Sequence, residues 1–235
     1  VSEGPPAHAR PAWIDRAHQG ISSADSGFFD RFAPPPAGGR RSSVLILFGP
    51  NPAGGEDVVL TERAHTLRTQ PGDISFPGGK REPHDASDAA AALREAQEEV
   101  GIDPDTVDVV AELPEIYLSP RRFVVTPVLA WWREPGHVDG IDPGEVHRAV
   151  RAPLADLLDP SARFTVTHPS GYVGPGFEFD GLFVWGFTAG LLSAVLDFGG
   201  LTLPWDRSVE RPLPERYQPG GRRDALTQTA TEGRA

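Results

Sequence analysis

Four residues in one short segment, Arg94, Glu95, Glu98 and Glu99, crowd three carboxylates and one guanidinium together behind the double glycine Gly78 and Gly79. Like charges four residues apart on a helix repel by a few tenths of a kcal/mol when exposed, and by more when water is partly excluded. Only Arg94 offers local relief. A hard divalent cation explains the cluster better, because Mg²⁺ takes one or two protein carboxylates, keeps several waters and commonly bridges substrate phosphates. A bare Glu-Ala-Gln-Glu-Glu string is also compatible with an acidic, solvated helix face. The residues upstream of it decide between the two.

The helix that must carry these groups is legible from its apolar period. Ala89, Ala92, Leu93, Ala96 and Val100 recur at the spacings of one buried helical face. Asp85 or Ser87 can cap its start and Gly101 can end it. At about 100° per residue, Glu95 and Glu99 fall roughly 40° apart beside the apolar stripe, with Glu98 farther round. Strand signals occupy Ser42 to Phe48, Asp57 to Leu60, Asp73 to Phe76, Val107 to Tyr117 and Phe123 to Trp132. Val146 to Ala152 reads as another strand, Leu154 to Leu158 as a short helix, and Phe164 to Thr167 with Tyr172 to Phe179 as a hairpin around Pro169, Ser170 and Gly171. Phe187, Leu191, Ala194, Val195 and Phe198 predict a buried amphipathic helix closing the fold.

Gly78 to Ile102 resembles the Nudix box, GX5EX7REUXEEXGU with U aliphatic. Its second half is matched by Arg94 through Ile102. The first half departs: Lys80 stands where the pattern has Gly and Ala86 where it has Glu. One extra loop residue reconciles the two, with Asp85 in place of the first Glu. Upstream, Leu60, Thr61, Arg63, Ala64, Arg68, Gly72 and Phe76 to Gly79 fill every fixed position of LTxRAx3Rx3Gx3FPGG. That pattern is similar to the signature of the coenzyme A pyrophosphatase branch of the Nudix hydrolases, and the weaker likeness extends from about Val44 to Trp205.

The resemblance implies an α/β/α sandwich with a mixed β-sheet. Composition assigns the domain to residues 21–207, between Pro-, Arg- and polar-rich tails at 1–20 and 208–235. The resemblance also implies Mg²⁺- or Mn²⁺-dependent hydrolysis of the diphosphate of coenzyme A (CoA) or acyl-CoA to 3′,5′-ADP and (acyl-)4′-phosphopantetheine. Glu95 and Glu99, on one rim, are the foremost metal ligands. Glu98 is the third, holding a further cation or orienting the attacking water, and Arg94 would keep the glutamates in place. Arg63 and Arg68 offer forked donors for phosphates. Gly78, Gly79 and Gly72 suit a loop that approaches phosphate closely. Lys80, the only lysine among 22 basic residues, lies in that loop, and Arg81, Arg121 and Arg122 could add positive charge. Glu145 is a candidate base from outside the helix. His65 and His168 are candidate substrate contacts, though neither sits in an HExxH pattern. Two alternatives stay open: a Nudix hydrolase of ADP-ribose or a dinucleotide, and a Nudix-fold module that senses CoA or a nucleotide without cleaving it.

Composition excludes several other classes. The 235 residues, 39% of them hydrophobic, suffice for one domain with a core. Cysteine is absent, so disulfides, thiol catalysis and cysteinyl metal sites are ruled out and metal ligands must be oxygen or histidine. A net charge of −11 without a basic run disfavours nucleic acid as a partner. Gly181 to Leu196 is too short for a usual bilayer span. Val1 to Arg10 is Pro-rich and polar rather than signal-like. The expectation is therefore a cytoplasmic protein with a small-molecule substrate and no membrane partner, as a monomer or a homodimer.

Overall fold

Strand β1 (Arg40–Pro50) is the axis on which the rest is built, and its side chains alternate between two cores. Ile46 and Phe48 enter one, Leu45 and Leu47 the other. The computed structural model describes residues 8–23, 29, 32–35, 38–67, 70–118 and 122–217. β2 (Glu56–Arg63) runs antiparallel to β1, and β7 (Phe123–Trp132) lies parallel to it on the other side. β3 (Ile74–Ser75) and β5 (Val107–Glu112) extend the sheet to the order β3-β2-β1-β7-β5. β4 (Gly78–Lys80), β6 (Ile116–Leu118) and β8 (Val146–Pro153) pair with β1, β7 and β2. Two-sided burial explains why β1 and β7 read as nearly unbroken apolar runs rather than as alternating ones.

Helix α1 (Ala12–Ser22) and helix α4 (Gly186–Phe198) cover the Ile46 and Phe48 face, whereas α2 (Asp88–Val100) covers the Leu45 and Leu47 face. The α/β/α sandwich implied by the resemblance is thus the architecture of the chain. A smaller sheet, ordered β11-β10-β9-β12, is made by β9 (Arg163–Thr167), β10 (Val173–Phe179), β11 (Leu182–Val184) and β12 (Glu210–Pro212). The short helix α3 (Leu154–Leu158) and the β9–β10 hairpin lie where the sequence predicts them.

Four expectations need correction. The segment assigned to an N-terminal tail holds α1, which buries Trp13, Ile14, Ala17 and Ile21. Trp13 meets Phe48 edge to face at 4.9 Å. Its apolar period was masked by the Pro-rich residues around it. At the other end, β12 and Leu213, assigned to the C-terminal tail, pair with β9 and bury against Phe164 and Phe183. Val107 to Tyr117 is two strands rather than one, because the chain leaves the ladder at Leu113 to Glu115, and Pro114 has no N–H to donate to it. Finally, α4 is not amphipathic. Thr188 to Leu196 are all buried, since the helix is enclosed by α1, β10 and the main sheet. Among the described residues no helix is long and apolar enough to cross a membrane.

The start of α2 resolves an ambiguity left by the sequence. Ser87 Oγ accepts the Ala90 N–H at 3.0 Å and is the cap, while Asp85 turns to Arg94. Ser87→Ala should therefore cost about 1 kcal/mol of stability, measured by urea denaturation. An unchanged midpoint would refute the capping role. Gly101 ends the helix in the left-handed region, at φ 74°.

Candidate functional site

Small residues set the distance between α2 and the sheet. Ala92, Ala96 and Val100 pack on Leu45, Leu47, Val59, Val128 and Ala130, and short side chains at such a contact let the axes approach closely. Glu95 and Glu99, beside that stripe, consequently reach the backbone of β4. Gly78 N–H donates to Glu99 Oε2 at 3.0 Å. A Cβ on Gly79 would stand 2.4 Å from Glu95 Oε2, and one on Gly78, at φ 153°, would stand 2.3 Å from the Ser43 carbonyl oxygen. Both positions therefore demand glycine: the first leaves space for a carboxylate, the second for the neighbouring strand.

Arg94 ties the loop to the helix. Its Nε and Nη2 bind Asp85 Oδ1 and Oδ2 at 2.9 and 3.0 Å, a forked pair. Nη1 reaches Glu95 Oε1 at 3.0 Å and Glu98 Oε2 at 3.1 Å, and Nη2 also donates to the Lys80 carbonyl at 3.1 Å. Glu95 is thus held between Arg94 and the Gly79 backbone. Glu98 is 59% exposed and turned toward Arg94 and solvent.

The electrostatics separate these carboxylates. Burial pushes Glu99 up to about 7, and the nearby charges of Glu95 and Glu145 add to it, against the opposing Gly78 N–H and the attraction of Arg63. Glu95 is also raised, chiefly by burial, with Arg94 opposing. Asp85 goes the other way, to about 2, because Arg94 hydrogen-bonds its charged form. Glu99 is the outlier: 8% exposed, it receives one backbone N–H and, among the described residues, has no ion pair.

Other candidates are dispersed around this pair. Arg63 attracts Glu99 through space, and its Nε is buried with no partner among the described residues. Arg68 and Arg121 lie outside the described residues. Lys80 contributes its carbonyl to Arg94, while its Nζ binds Glu82 Oε1 at 3.0 Å. Arg81 pairs with Asp88, and Arg122 is exposed, at φ 55°. Glu145 is exposed, yet close enough for its charge to raise both Glu95 and Glu99. His168 closes the β9–β10 turn, its Nδ1 lying 2.7 Å from Ser170 Oγ. His65 contacts Glu62 and lies edge to face with His147.

Sequence reading missed the support behind the loop. Arg41 and Arg81 converge on buried Asp88, and Arg41 also binds Glu115. No local spacing announces that network, because strand pairing assembles it.

Two carboxylates over a glycine backbone, one desolvated and in no ion pair with any described residue, form an oxygen-only donor set suited to a hard divalent cation. The NUDIX domain family matches residues 39–170. The chain is 38% identical over 171 residues to Nudix hydrolase 15, mitochondrial, of Arabidopsis thaliana, covering 69% of this chain but only 58% of that protein's length. It is 39% identical over 162 residues to the uncharacterized Nudix hydrolase NudL of Cronobacter sakazakii, covering 65% of this chain and 79% of that protein. Among solved structures it is similar to a Nudix hydrolase from M. smegmatis, RenU, at 20% identity and a TM-score of 0.48 over 72% of this chain and 91% of that one. With the family match spanning more than half of its 235 residues, the chain belongs to the NUDIX domain family.

Proposed function

We propose that the protein is a Mg²⁺- or Mn²⁺-dependent hydrolase of the diphosphate of CoA or acyl-CoA, releasing 3′,5′-ADP and (acyl-)4′-phosphopantetheine. The observation that carries the reading is Glu99, a carboxylate removed from water, facing the charges of Glu95 and Glu145, with Arg63 acting on it only through space and no ion pair to it among the described residues. Such a group is costly unless a cation joins it. Glu95 and Glu99 would hold that cation, and Glu98, now bound to Arg94, would add a ligand by turning from it. When bound, the cation supplies charge neutralisation and Lewis-acid polarisation of the diphosphate.

The chain's own residues do the rest. Arg94 fixes Glu95 and the loop carbonyl of Lys80. Gly79 leaves room for that carboxylate against the strand. Arg63, whose charge already acts on Glu99, would bind a phosphate oxygen through its guanidinium. Glu145, exposed and near the pair, is the candidate to take the proton as water attacks phosphorus and the P–O bond of the leaving phosphate breaks. The substrate assignment rests on the residues from Leu60 to Gly79, whose pattern resembles that of the CoA branch. A substrate with a 3′-phosphate besides its diphosphate gives Arg63 and Arg68 separate anionic groups to bind.

Incubation of purified protein with CoA and Mg²⁺ or Mn²⁺, resolved by chromatography, should yield 3′,5′-ADP and 4′-phosphopantetheine in equal amounts. Cleavage of ADP-ribose or a dinucleotide while CoA stays intact would reassign the substrate within the family. Tight binding of CoA with no product at high Mn²⁺ would instead favour a sensing module.

A further inference from the structure

Where the end of β2 meets the start of β8, a second group of ligand-type side chains comes together. Glu62 is the last but one residue of β2, His65 lies just beyond the strand, and His147 lies on β8. One donor atom from each lies within 4.8 Å of the other two. His65 Nε2 stands 3.1 Å from Glu62 Oε1, and the two imidazoles lie edge to face with centroids 4.6 Å apart. The ladder between β2 and β8 shifts register between Glu62 and Arg63. Such an irregularity re-aims side chains at a strand end.

We propose that Glu62, His65 and His147 form a second cation site, selective for a borderline transition ion of the Zn²⁺ class. Two imidazoles and one carboxylate suit Zn²⁺, Ni²⁺ or Cu²⁺, whereas Mg²⁺ favours oxygen ligands and an octahedral shell. Donors around a tetrahedral Zn²⁺ stand roughly 3.4 Å apart. Closing the trio onto an ion therefore needs only a small movement, and the exposed histidines can supply it by turning their rings. Glu62 needs no movement. Its side chain is 15% exposed, and Arg148 Nε holds the far oxygen, Oε2, at 3.0 Å, leaving Oε1 directed at His65. Arg148 is itself tethered to Asp180. A carboxylate oriented from behind by such a partner is a recurrent support for metal ligands.

The site is separate from the Glu95 and Glu99 pair but mechanically close to it. Ala64 N–H donates to the Glu145 carbonyl at 2.8 Å, joining the strand ends that bear His65 and His147. The same ends carry Arg63 and Glu145, whose charges act on Glu99. An ion shared by the two histidines would stiffen that junction.

Calorimetry of the full chain with Zn²⁺, in the presence of saturating Mg²⁺, tests the assignment without reference to any substrate. The expected result is one Zn²⁺ per chain, unaffected by Glu99→Gln and weakened at least tenfold by His147→Ala. Co²⁺ loading should give visible d–d absorption that His147→Ala removes. His65→Ala, on a different element, should act like His147→Ala and keeps the test decisive if one replacement disturbs the strand end. Absence of uptake, uptake indifferent to both histidine replacements, or uptake lost in Glu99→Gln would each overturn the proposal. Failure of CoA cleavage would leave it untouched.

Discussion

Glu99→Gln should lower turnover of a diphosphate substrate by about a thousandfold, the several kcal/mol expected of a lost cation ligand, while making the cation-free protein more stable near neutral pH. Glutamine keeps an oxygen to accept the Gly78 N–H, so the local geometry survives. The buried charge disappears. Because the folded-state value of Glu99 is pushed from 4.5 to about 7, its proton is held more tightly folded than unfolded. The stabilisation this provides is fully present below 4.5 and is lost as pH rises through about 7. The loss amounts to about 3 kcal/mol at most.

Urea denaturation at about pH 5 and about pH 8, with and without Mg²⁺, reads both halves of that prediction. The cation-free wild type should lose more stability than the variant between the two pH values, and Mg²⁺ should restore stability at the higher pH in the wild type alone. A cation competes with the Glu99 proton, so its stabilising effect should grow as pH rises through about 7. A variant with wild-type activity, or one less stable than the wild type at the higher pH, would refute the role given to this residue.

Arg94→Ala should cost about 3 kcal/mol of stability at neutral pH, because it leaves the shielded Asp85 carboxylate without its forked partner. The same change frees Glu95, Glu98 and the Lys80 carbonyl from their common donor. Activity should fall about a hundredfold, as expected when a carboxylate's supporting partner is removed. Asp85 is depressed from 3.8 to about 2, so the stability it contributes is present above 3.8 and is lost as pH falls through about 2. The gap between wild type and variant should accordingly shrink in acid.

Arg94→Lys is the informative control. Lysine retains the charge but lacks the planar fork, and cannot bind both oxygens of Asp85 while reaching Glu95, Glu98 and the loop carbonyl. It should recover only part of the lost stability. A cost below about 1 kcal/mol for Arg94→Ala would show the network to be an ordinary surface ion pair.

Much of this was written locally in the chain. The apolar period from Ala89 to Val100 placed α2, and Gly101 ended it where the left-handed backbone falls. β7 runs over the residues the strand signal marked, Phe123 to Trp132. Local periodicity works there because each residue's environment is set by neighbours one turn or two positions away. It failed at α1, whose apolar face sits in a Pro-rich surround and is recognised only by the groove between α4 and the sheet. It failed again at α4, where helical period was correct but burial on every side came from elements distant in sequence.

The sequence by itself determined which carboxylates share one rim and which helix presents them, since spacing along a helix fixes the angle between Glu95 and Glu99. Tertiary structure decided the rest. It selected Asp85 as the fork partner of Arg94, brought Glu99 under the Gly78 N–H and turned Glu98 outward. It also joined His147 to Glu62 and His65 across two strands. These relations depend on strand register and on the distance between helix and sheet, which arise from packing over the whole core and leave no signature in any short stretch of chain.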